Sequence, residues 1–116
     1  MRFRSGPLLV SVLFAAACSP SPVGFWQAEN PPAPVKKLGV EFDRDTDRIL
    51  AHVDDPDHRH VSGHYTFDAE TNTVTVTGKL LGDAKADTWT GTVARDSMQL
   101  TGGADTLKFK KGGKAH

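Results

Sequence analysis

From Leu38 to Phe109, apolar residues recur at nearly every second position of this chain. Leu38, Val40 and Phe42 alternate with polar partners, as do Ile49, Ala51 and Val53, and then Val61, Gly63, Tyr65 and Phe67. Val74 and Val76, Trp89 and Val93, Met98 and Leu100, and Leu107 and Phe109 continue the pattern. Successive side chains of a strand point to opposite faces, so this period buries one face and leaves the other wet. No helical periodicity of useful length follows residue 18. The domain is therefore predicted to be all-β and antiparallel.

A faint repeat refines that expectation. The stretch FDRDTDRI at 42–49 recurs as FDAETNTV at 67–74, and VARDSMQL at 93–100 is a shorter version. Each ends a strand, turns on Asp with Thr, Asp, Asn or Ser, and restarts on a new apolar run. Such turn residues bond their own backbone and tolerate left-handed conformations. Three hairpins of one type predict an up-and-down meander of seven or eight strands. Closure into a barrel would remove the exposed edges. A two-sheet sandwich is the alternative.

The N-terminus predicts where the domain goes. Arg2 and Arg4 precede the apolar run Leu8–Ala17, ten residues, about half of the roughly twenty needed to span a bilayer. It has the proportions of an export signal, over residues 1–17. Phe14-Ala15-Ala16-Ala17-Cys18 resembles the lipobox of bacterial lipoproteins, which implies cleavage before Cys18 and lipidation of that residue. Cys18 is the only cysteine, so lipidation also removes an otherwise unpaired thiol from an oxidising compartment. Several acyl chains anchor firmly where one does not. The following residue is Ser19 rather than Asp, and the resemblance then implies the periplasmic face of the bacterial outer membrane. Cleavage after Ala17 without lipidation is the bland alternative.

Removing residues 1–17 from 116 leaves ninety-nine, enough for one small core. The mature part carries twelve basic against fourteen acidic residues, which argues against a nucleic-acid surface. Residues 18–22 form a short linker, 23–111 the barrel-like domain, and 112–116 a flexible basic tail.

Gly24-Phe25-Trp26 resembles the G-x-W of lipocalin-like barrels. The resemblance implies that Trp26 plugs one end of the barrel and that a basic residue of the last strand, Lys108 or Lys110, packs over it. It also implies an apolar ligand inside the barrel, although so short a chain suits an interior filled by side chains.

The stretch HVDDPDHRHVSGHY, residues 52–65, holds four of the five histidines and three aspartates. Alternation puts Ala51, Val53, Val61, Gly63, Tyr65 and Phe67 inside, and His52, His60, Ser62 and His64 outside. A tight turn at Asp55-Pro56-Asp57 would set His52 opposite His60, with Cβ atoms about 4.5–5.5 Å apart. A longer loop would set His52 opposite Ser62. His60 and His64 are separated by about 13 Å of strand, too far to share one ion. The candidate metal ligands are thus His52 and His60, with Asp54 or His58 assisting and His64 beyond them. Such nitrogen and oxygen donors suit zinc, copper or nickel. A polar hairpin with exposed histidines is the simpler reading of the same residues. Asp43-x-Asp45-x-Asp47 mimics the opening of a calcium loop, but Arg48 stands where glycine is required and the turn reading prevails.

No nucleophile is set up. Ser62 is the one serine near histidines, on an open sheet face without an orienting partner. The leading expectation is a lipid-anchored, non-enzymatic binding or inhibitor module, with a cell-wall hydrolase as a possible protein partner. The alternatives are a transition-metal-binding protein acting through the His52/His60 loop, a small apolar-ligand carrier, and a structural component of an envelope assembly.

Overall fold

The computed structural model describes residues 19–112. The expectations for residues 1–17, for lipidated Cys18 and for the end of the basic tail lie outside the described residues. Eight strands follow one another: β1 Gly24–Glu29, β2 Lys37–Phe42, β3 Arg48–Asp54, β4 His58–Asp68, β5 Thr73–Thr77, β6 Thr88–Val93, β7 Ser97–Gly102 and β8 Asp105–Lys111. Every strand pairs antiparallel with its neighbour in sequence, and β1 pairs with β8, so the sheet closes into an up-and-down barrel. The sandwich alternative is excluded by that last pairing.

The period-two residues fill the interior. Trp26, Leu38, Val40, Ala51, Val53, Val74, Val76, Trp89 and Leu100 are all 0% exposed, and Phe42, Leu107 and Phe109 nearly so. Val61, Tyr65 and Phe67 pack against this core from β4. Fully burying a side chain of this size stabilises by about 1.5–3 kcal/mol, so this one cluster carries most of the fold.

The repeated turns all fall at one end of the barrel, between β2 and β3, β4 and β5, and β6 and β7. In the first, the Asp43 carboxylate accepts from the Asp45 N–H at 3.3 Å and from the Thr46 hydroxyl at 2.7 Å. In the second, Asp68 accepts from the Glu70 N–H at 2.9 Å. The first carboxylate of the stretch that mimics a calcium loop, Asp43, is thus spent on its own turn, as the repeat predicts.

The same end receives the start of β1 and the end of β8. Trp26 is buried there, and its indole N–H donates to the Pro22 carbonyl at 2.8 Å. The basic residue over it is Lys111, not Lys108 or Lys110. The Lys111 ammonium sits 4.8 Å from the ring centroid and donates to the Val23 carbonyl. The reason is parity. Trp26 pairs with Lys111 in register, and Leu107, Phe109 and Lys111 share one face of β8, whereas Lys108 and Lys110 point outward. Burial pulls the Lys111 pKa below the ordinary lysine value, Arg44 adds to the depression, and Asp96 opposes it.

The opposite end is closed from the connections. Leu80, between β5 and β6, is 0% exposed, and Val35, between β1 and β2, is buried as well. Alternation does not reveal Leu80, because it lies in a loop.

Candidate functional site: three histidines on the outer wall

The tight register of the β3–β4 hairpin is the one the fold adopts. Asp54 pairs with His58, Val53 with Arg59, His52 with His60 and Ala51 with Val61. Residues 55–57 form the turn, closed by the Asp55 N–H donating to the Asp57 carbonyl at 3.2 Å. Arg59 then clamps it. Its Nε donates to both carboxylate oxygens of Asp55 at 3.1 Å, and its Nη2 donates to Oδ2 at 2.7 Å. This hydrogen-bonded pair holds the Asp55 carboxyl below its ordinary pKa and raises that of Arg59. The clamp matters because a slip of one residue would turn every histidine of β4 inward.

With Arg59 turned toward the barrel, His58 and His60 on either side of it point outward and meet His52. The His52 and His60 rings stand 4.7 Å apart at 83°, and the His58 and His60 rings 5.0 Å apart at 86°. One ligand nitrogen from each of His52, His58 and His60 lies within 4.8 Å of the other two. Nitrogens bound tetrahedrally to one zinc at about 2.0–2.1 Å lie about 3.4 Å apart. The separations must therefore close by up to about 1.4 Å for the three to share an ion, a shift that rotation of the two exposed rings supplies.

His52 is the exception to the expected exposure. It is on the outer face, yet only 7% exposed. Phe25 of β1 reaches across β2 to cover it, its ring centroid 6.2 Å from that of His52. Gly39 of β2 makes the crossing possible, since a Cβ there would lie 2.4 Å from the Phe25 ring. The tryptophan of Gly24-Phe25-Trp26 thus faces the core while its phenylalanine roofs a histidine outside. Alternation within one strand cannot show a lid supplied from two strands away. A glycine at an outward position of β2 is the signal that could have revealed it.

Asp54 faces His58 in register but is outside the trio. It lines a neighbouring cleft of about 210 Å³ with Phe25, Gln27, Lys37, Gly39, His52 and His58. His64 lies apart, opposite Arg48, with Nδ1 3.4 Å from an oxygen of Asp47. That pair is exposed on both sides and contributes little. Ser62 lines a separate open cleft of about 330 Å³ with Glu41, Asp43, Arg48, Ile49 and Leu50, which the alternation does not predict and which contains no histidine.

No protein-family model, no curated protein and no solved structure matches the chain.

Proposed function

We propose that the protein is a lipid-anchored, non-enzymatic envelope protein that binds a first-row transition metal through His52, His58 and His60. The observation that carries this reading is the convergence of three imidazole nitrogens within 4.8 Å on a clamped hairpin. A set of neutral imidazoles suits zinc, copper and nickel and disfavours magnesium and calcium, which take oxygen donors. The buried His52, roofed by Phe25, supplies a fixed ligand, and the exposed His58 and His60 close on the ion from solvent. Three protein ligands leave a position for a further one, the arrangement of open rather than purely structural sites. The interior is occupied by Trp26, Trp89, Phe42 and Phe109, which turns attention to the outer wall as the place of binding.

Calorimetric titration of the purified protein with zinc, copper and nickel tests the reading. One ion per chain is expected, with binding lost when His52 and His60 are both changed to alanine and retained in His64→Ala. Equal binding by the double variant and the parent would sink it.

A further inference from the structure

The cleft beside the trio shares His52 and His58 with it and adds one cation and one anion of its own. Lys37 and Asp54 face each other across β2 and β3, the first pair of that ladder. Both line the cleft, and neither forms an ion pair with any described residue. Elsewhere on the molecule, lysines near carboxylates do pair, as Lys79 does with Asp83 at 3.2 Å and Lys110 with Glu29 at 3.5 Å. Phe25 supplies an apolar wall to the same space. A doubly charged ion held by three neutral imidazoles keeps its full charge, so its open position attracts a carboxylate, whose oxygen zinc also accepts. A simple anion would also meet Asp54, and a simple cation would meet Lys37. A zwitterion satisfies both.

We infer that the cleft binds a free α-amino acid as a co-ligand of the metal. The inference rests on the metal reading above. The carboxylate takes the open position of the ion and pairs with Lys37, the ammonium pairs with Asp54, and the side chain lies against Phe25. A volume of about 210 Å³ suits a small amino acid rather than a drug-sized ligand, which needs about 300 Å³ or more.

The test uses the full chain loaded with one equivalent of zinc at neutral pH, titrated calorimetrically with L-alanine and, separately, with acetate. Alanine is expected to bind at least tenfold more tightly than acetate. Lys37→Met and Asp54→Asn should each weaken alanine about tenfold, the loss typical of a charged hydrogen bond, with zinc affinity unchanged. If acetate binds as well as alanine, or if both variants bind alanine like the parent, the inference is overturned and the metal reading stands. Equal binding of alanine to the zinc-free chain also overturns it, because the ion would then have no part in the site. A parent that takes up no zinc overturns both readings together.

Discussion

Every outward position of β5 and β6 is a threonine, with one more threonine pair between β7 and β8, whereas the outward face of the β3–β4 hairpin gathers His52, His58 and His60. Thr73 faces Thr92, Thr75 faces Thr90, Thr77 faces Thr88 and Thr101 faces Thr106. On the adjoining β3–β4 hairpin His52 faces His60, with His58 beside them. Both regions stand on the same core and use the same alternation. Threonine on an exposed strand is explained by the strand itself, since β-branched residues fit the pleated surface and cross-strand pairs add about 0.2–1 kcal/mol each. Histidine is not among the residues that strands enrich. Three of them gathered together, one under a phenylalanine lid, therefore ask for a reason that the threonine lattice does not.

Each region contains a glycine that sharpens the contrast. Gly91 of β6 points inward, and a Cβ added there would lie 1.6 Å from the Gln99 carbonyl oxygen of β7. That neighbour is backbone, so relief means breaking the β6–β7 ladder. Gly91→Ala is expected to cost more than about 4 kcal/mol and to abolish cooperative thermal unfolding followed by circular dichroism. Gly39, in the histidine region, meets only the far end of the Phe25 side chain, at 2.4 Å. That ring can swing away. Gly39→Ala should keep the barrel, lose about 1–3 kcal/mol by crowding, and uncover His52. If His52 is a ligand, as proposed, the lid orients it, and zinc affinity should fall about tenfold in the same variant. Equal destabilisation by the two substitutions would break the comparison, since it would mean that the Phe25 lid is as rigid as the ladder.

Much of this was legible in the residues. The alternation of Ala51, Val53, Val61, Gly63, Tyr65 and Phe67 identified the inward face of the hairpin, and the repeat of FDRDTDRI in FDAETNTV marked two turns at one end. Alternation also contains the partner of Trp26, for Leu107 and Phe109 put Lys111 on their own face and leave Lys108 and Lys110, which the lipocalin-like resemblance implies, on the other. Other features lie between elements and leave no periodic trace. The burial of Leu80 depends on how a connection folds over an open barrel end. The burial of His52 depends on a ring two strands away and on the missing Cβ between them. The outer clefts beside the trio and beside Ser62 are likewise products of the closed sheet.

The smallest effect tests what holds the histidine hairpin in register and what the threonine ladders do without. Between Asp54 and His58 the turn relies on the Asp55–Arg59 pair. The folded-state pKa of Asp55 lies below its ordinary value of 3.8, so the unfolded chain binds its proton first as the pH falls. The stabilisation is thus fully present above about 3.8 and is lost as the pH drops through the lower, folded value. Asp55→Asn should lower the melting temperature of the metal-free protein at pH 6 and have progressively less effect in acid. Asp43 is also held below its ordinary pKa, by the Thr46 hydroxyl, but it titrates in parent and variant alike and cancels in the difference. A gap in melting temperature that stays constant from pH 6 to strong acid would show that Asp55 acts through turn geometry alone. A gap that closes would place the charge pair, and not the turn sequence by itself, behind the register that brings His60 opposite His52.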